Sequence, residues 1–167
     1  MNVDENGYLK WEKTYGDNGE DGFNMITRSK NNNFIAVGYS ESFFSKGMKD
    51  VLMVKIDSLG NKMWMNLYGG KSDDIANSVF ECKDSGLVIA GETTSFGSGK
   101  NDILILKTNS NGVQKWKSTI GGKGVDIGRS IEELPKGGFI LSGTSTISNL
   151  SFDSILIKTD KKGKTSN

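Results

Sequence analysis

The stretch Leu87-Val88-Ile89-Ala90-Gly91-Glu92-Thr93-Thr94-Ser95-Phe96-Gly97-Ser98-Gly99-Lys100-Asn101-Asp102-Ile103-Leu104-Ile105-Leu106-Lys107 holds two short apolar runs split by a loop rich in glycine and serine. Each run is too short for a stable helix and rich in β-formers, so each reads as a strand. Neither run has a polar position, and a strand that is apolar on both sides must be covered on both faces. Phe34-Ile35-Ala36-Val37 and Val51-Leu52-Met53-Val54 repeat the pattern. Around the central pair lie two more strands. Strand a, near Ile75 to Cys82, turns at Asp84-Ser85-Gly86 into strand b, Leu87 to Ala90, which Gly91 closes. Strand c is Ile103 to Leu106, and strand d runs about Val113 to Ile120. Trp116 and Ile120 alternate there with Lys115 and Lys117, as suits a half-exposed outer strand.

The four-strand unit recurs. Trp11, Trp64 and Trp116 are spaced by 53 and 52 residues, and Gly7, Gly60, Gly112 and Gly163 by 53, 52 and 51. Gly38, Gly91 and Gly143 keep the step, as do Lys55, Lys107 and Lys158. Two aspartate series join them: Asp21, Asp74 and Asp126, and Asp50, Asp102 and Asp153. The c–d connections Asp57-Ser58-Leu59-Gly60, Asn109-Ser110-Asn111-Gly112 and Asp160-Lys161-Lys162-Gly163 carry the Asx-first, glycine-fourth signature of a tight type I turn. An all-β chain of three four-stranded antiparallel repeats at this period is predicted, stacked radially as β-propeller blades. A flat β-solenoid, with shorter coils and parallel strands, is the competing architecture.

The pattern Trp64-x3-Tyr68-Gly69-Gly70-x3-Asp74-x-Ala76-x-Ser78, then Gly91-x-Thr93-x-Ser95-Phe96-Gly97, then Asp102-x4-Lys107, resembles the blade repeat of bacterial propellers of the SBBP-type and quinoprotein-like families. The resemblance covers nearly the whole chain and implies the fold; no function transfers with it. The third copy departs from it, with Ile120 in place of the tyrosine and no Ser-Phe-Gly between Ser145 and Phe152.

The repeat divides the chain into a leading segment (1–16), a first blade (17–69), a second (70–121) and a third lacking its outer strand (122–167). The leading segment contains a d-type strand, Tyr8 to Tyr15, of the kind the third unit lacks. Three blades are too few for a ring of about four to eight. Two copies make six and three make nine, which predicts a homodimer in which Tyr8–Tyr15 of each chain completes the third blade of the other. A fragment of a longer propeller and a three-bladed monomer are the alternatives.

Composition narrows the partners. Lysine plus arginine number 21 and aspartate plus glutamate 20, a net charge of +1, which argues against a dedicated nucleic-acid binder. Twenty-two glycines and one proline suit strands joined by tight turns. No apolar leader follows Met1 and no run is long enough to cross a membrane, so the chain as written reads as cytoplasmic. A piece of a longer secreted or cell-surface protein would look the same.

Candidate chemistry is sparse. The chain has no histidine, which removes the commonest base and the Ser–His and Cys–His devices. Cys82 has no partner cysteine and reads as a buried structural thiol, and no zinc or other metal set is expected. Gly70-Lys71-Ser72, Gly99-Lys100 and Gly121-Gly122-Lys123-Gly124 lack phosphate-loop or dinucleotide spacing and read as turns. Asp4-Glu5-Asn6-Gly7 looks faintly like a calcium loop without its later glutamate, and reads as a hairpin turn. Asp21, Asp74 and Asp126 fall on d–a loops, while Asp50, Asp102 and Asp153 open strand c. Together they form two acidic rings on one end of the molecule. Either each accepts loop N–H groups, a role that must recur in every copy, or the rings form a cation or polar-ligand site. Asn24, Asn77 and Arg129 hold equivalent positions on strand a and are channel-facing candidates, as are Met25, Ser78 and Ser130 beside them. Phe43, Phe44, Phe96 and Phe152 on the b–c loops either grip a sugar or protein segment or plug between blades. No cofactor is expected. The reading is a non-catalytic binding or scaffold module contacting protein or glycan; the alternative is a carbohydrate-active or quinone-dependent enzyme using carboxylate pairs.

Overall fold

The apolar runs form the middle strands of successive antiparallel sheets. The structure, a computed structural model, describes residues 2–42, 48–148 and 151–165. A short hairpin pairs β1 (Asn2–Val3) with β2 (Leu9–Trp11). The first full sheet runs in chain order through β3 (Asp21–Arg28), β4 (Phe34–Ser40), β5 (Asp50–Ile56) and β6 (Lys62–Tyr68). The second repeats it with β7 (Asp74–Glu81), β8 (Leu87–Thr93), β9 (Asp102–Thr108) and β10 (Gln114–Ile120). The third has three strands, β11 (Asp126–Glu133), β12 (Phe139–Ser148) and β13 (Ser151–Thr159). No helix occurs among the described residues, and the sheets do not close into a ring.

Each sheet packs its face on the next, so the core is a series of interfaces. Ile35, Val37, Val51 and Met53 of the first sheet meet Ala76, Val79, Leu87, Ile89, Leu104 and Leu106 of the second. Val88, Ala90, Ile103 and Ile105 of the second meet Ile131, Phe139 and Leu141 of the third. Neighbouring residues of one strand thus serve opposite interfaces, which is why strands b and c carry no polar alternation.

The c–d turns are built four times alike. Asp4, Asp57, Asn109 and Asp160 each accept two backbone N–H bonds through Oδ1, from the residues two and four positions on, at 2.8–2.9 Å. The fourth residue, Gly7, Gly60, Gly112 or Gly163, takes φ between 72° and 84°, a left-handed conformation that glycine adopts without strain. Asp4–Gly7 is a hairpin turn of this kind.

Three expectations are corrected. Gly91 does not close strand b; it lies inside β8, opposite Ala76. Strand a carries a β-bulge at Asn24, Asn77 and Arg129 in every copy, and the bulge sets the preceding carbonyl over the glycine. A Cβ on Gly38, Gly91 or Gly143 would overlap the backbone oxygen of Gly22, Ile75 or Ile127. Asp153 does not open strand c: the third b–c connection is two residues shorter than the first and one shorter than the second, and its hairpin zips on to Ser148 and Ser151. The strand within Tyr8–Tyr15 covers only Leu9–Trp11, since β1 offers it just two residue partners.

The β2 segment nonetheless sits as a d strand sits. Trp11 and Tyr15 pack on Leu52, Val54 and Ile56 of the first sheet. Tyr15 donates its hydroxyl to the Gly60 carbonyl at 3.1 Å, as Tyr68 does to that of Gly112. Trp11, Trp64 and Trp116 lie against Gly60, Gly112 and Gly163 of the following sheet, fixing the tryptophans as inter-sheet packing residues.

Candidate functional site

The d–a loops bring the two aspartate series together in pairs. At Gly69 a Cβ would overlap Asp50 Oδ1 and crowd Asp74 Oδ2; at Gly121 it would overlap Asp102 Oδ1 and crowd Asp126 Oδ2. All four carboxylates are buried. Asp74 accepts the Gly70 N–H (2.8 Å) and the Ser95 hydroxyl (2.7 Å), and Asp21 accepts the Asp17 N–H (3.2 Å) and the Ser42 hydroxyl (2.7 Å). Asp126 accepts the Gly122 N–H at 2.8 Å. Asp102 accepts N–H groups of Ser98 and Gly99, each at 3.0 Å. Burial alone would raise the Asp21 pKa, but the Ser40 and Ser42 hydroxyls and two backbone N–H groups hold it below the usual carboxylate range. These acids fasten loops to sheets. Asp153 stands apart, exposed on β13. Among the described residues no three His, Cys, Asp or Glu side chains converge to hold a metal.

Asn24 and Asn77, at the bulges, act between sheets. Asn24 donates Nδ2–H to the Ala76 carbonyl (2.9 Å), and Asn77 to that of Gly128 (3.0 Å). Arg129, their counterpart in the third sheet, is exposed. Ser78 is buried and Met25 packs against the first inter-sheet core, its sulfur 3.4 Å from the Val79 nitrogen, whereas Ser130 is exposed. A second staple escaped the sequence reading. The Lys30 N–H donates to Glu81 Oε2 (2.7 Å) and its Nζ to the Cys82 carbonyl (2.6 Å). The Lys83 N–H donates to Glu133 Oε2 (2.8 Å) and its Nζ to the Pro135 carbonyl (2.8 Å). Its signal was present in register: Lys30 and Lys83 differ by 53, Glu81 and Glu133 by 52.

Phe96 lies under Lys117, whose Nζ is 3.0 Å from the ring centroid, and desolvation lowers that ammonium's pKa. Phe152 is exposed, and Phe43 and Phe44 fall outside the described residues. Cys82 is fully buried and unpaired; burial raises its thiol to about 11.

A cleft of about 550 Å³ lies between the second and third sheets, at the end bearing the a–b turns. Lys83, Lys107, Lys115, Lys136 and Lys161 line it with Asp84 and Glu133, and Trp116 and Phe139, 5.9 Å apart, give it an apolar wall. Asp84 binds both Lys107 (2.9 Å) and Lys115 (3.2 Å). Lys136 and Lys161 are exposed. At the equivalent junction of the first and second sheets, Met63, Asp84 and Ser110 occupy the positions of Lys115, Lys136 and Lys161. The positive charge is therefore added at one junction only.

No family model and no curated protein matches the chain.

Proposed function

We propose that this protein is a non-catalytic binding module of propeller type, its sheets serving as blades of a ring completed to six by a second copy. Its ligand is an anionic glycan held in the lysine-lined cleft between the second and third blades. The observation that carries the ligand assignment is the break in symmetry. Of the residues that repeat, Asp21, Asp74, Asp102 and Asp126 hold loop N–H groups, and the bulge asparagines of the first two copies join adjacent sheets. The cleft instead gains three lysines beside a tryptophan and a phenylalanine. Ammonium groups bind carboxylate or sulfate, and an aromatic wall offers a sugar ring a flat apolar face.

The test is an array of sulfated, carboxylated and neutral oligosaccharides, probed with the native protein and with Lys136→Ala/Lys161→Ala. Binding confined to anionic members, weakened in the variant and without chain cleavage, is the expected result. Release of shortened products would favour a carbohydrate-active enzyme. Equal binding of neutral sugars by both proteins would remove the assignment.

A further inference from the structure

The two outermost sheet faces carry apolar side chains that the repeat buries elsewhere. Ile26, on the first sheet's open face, is 58% exposed, whereas its counterparts Val79 and Ile131 are each 2% exposed. On the third sheet's open face Leu156 is 78% exposed, against 0% for Met53 and Ile105. Ile140 there is 39% exposed, against 1% for Ile35 and 0% for Val88. Repeat equivalence fixes the directions. Val79 and Ile131 face the preceding sheet, and Met53, Ile105, Ile35 and Val88 face the following one.

The staple changes at both ends. At internal junctions the earlier sheet donates, through Lys30 or Lys83, and the later sheet accepts, through Glu81 or Glu133. On the third sheet the donor position is Pro135, which has no N–H; on the first sheet the acceptor position is Arg28. One further position differs. Thr27 and Phe80 point toward the following sheet, Phe80 packing in the second interface, and their counterpart on the third sheet is Glu132. Donor and acceptor have traded sides: the third sheet's open face offers a carboxylate and the first sheet's open face a guanidinium, both exposed.

We propose that these faces meet between two copies of the chain, with Glu132 of one copy paired to Arg28 of the other and Ile140 and Leu156 seated over Ile26. The inference rests on the six-bladed reading and specifies its seam. A second copy is the occupant favoured by charge: one open face carries a carboxylate where the internal junctions have Thr27 or Phe80, and the other a guanidinium where they have Glu81 or Glu133, so the two faces of one chain type are complementary. The seam also brings β13 alongside β2, which already packs as a d strand on the first sheet and is held by only two residue pairs to β1. Ser142 and Ser154, where the other copies have Val37, Ala90, Val51 and Ile103, keep the unpaired face soluble before association.

The test uses sedimentation equilibrium of the native chain, Arg28→Glu, Glu132→Arg and the double reversal, with circular dichroism to confirm that each exposed-site variant is folded. The native chain is expected to be dimeric. Each single reversal should weaken dimerisation by about ten-fold or more, the cost of a like-charge contact at an interface, and the double reversal should recover most of the loss. A dimer indifferent to all three variants overturns this seam while leaving ring closure standing. A native chain that stays monomeric at every concentration overturns both.

Discussion

At the residue scale, Gly91 shows how the backbone dictates side chains here. The Ile75 carbonyl occupies the space a Cβ would need, and that carbonyl belongs to a bulged strand of the same sheet. Gly91→Ala therefore forces two strands apart and should cost about 3 kcal/mol, the upper end for overpacking. Gly122, beside the same loops, has nothing within 4 Å of a Cβ, and Gly122→Ala should stay within about 0.5 kcal/mol of the native value. Urea denaturation of the two variants checks this, and equal losses would refute the steric account. Cys82 allows a second residue-level prediction. A buried thiol raised to about 11 is almost wholly protonated near pH 8, and the thiolate is the nucleophile. Iodoacetamide should leave Cys82 unmodified in the native protein and alkylate it quantitatively in denaturant, as mass spectrometry would show; fast native labelling would mean the second interface opens readily.

At the element scale, the a–b turn of the second sheet is fastened electrostatically. Burial acts to raise Asp84, but Lys107, the Gly86 N–H and Lys115 outweigh it and bring its pKa to about 2, below the ordinary 3.8. A carboxylate depressed in the folded state contributes stability above its unfolded pKa and loses it as pH falls through the folded value. Asp84→Asn should therefore lower Tm by a constant amount above roughly pH 5, and the gap to the native protein should close as pH falls to about 2. A gap unchanged at low pH would mean that Asp84 acts by shape alone. Strands b and c, the c–d turns and the repeat itself were legible in the sequence, because apolar runs and Asx–glycine turns are local signals. The bulge was not: its position is asparagine in the first two copies but arginine in the third, and only the glycine opposite recurs in all three. Asp153 was misplaced because the b–c loop shortens copy by copy, and at the third, shortest loop the hairpin zips past the aspartate without a change in the strand residues that follow. The lysine cleft was invisible because its residues come from β9, β10, β11 and β12 and from three connections, which meet only in space, although each substitution could be read by aligning the copies.

At the scale of the whole molecule, stability should be distributed as in a linear array, where each sheet contacts only its neighbours. The second sheet is covered on both faces by the two inter-sheet cores, and β9 is buried along its whole length. The third sheet has one covered face and one open, and β13 is exposed over its first four residues and then alternates half-buried and exposed ones up to the buried Thr159. Opening a flanking sheet leaves the central sheet's own hydrogen bonds intact, whereas opening the central sheet removes both interfaces at once. Amides of Asp102–Thr108 should accordingly exchange with deuterium most slowly, near the global unfolding limit, and those of Ser151–Thr159 markedly faster in a dissociated chain. Ring closure by a second copy, as proposed, would cover the open face of β13 and give its free edge a partner, so the gradient should then flatten at protein concentrations that favour association. Exchange measured by mass spectrometry across a dilution series separates the cases. A gradient that is steep at every concentration describes an open array. One that flattens with concentration, and does so in β13 and β2 together, describes a wheel whose last sheet is finished by another molecule.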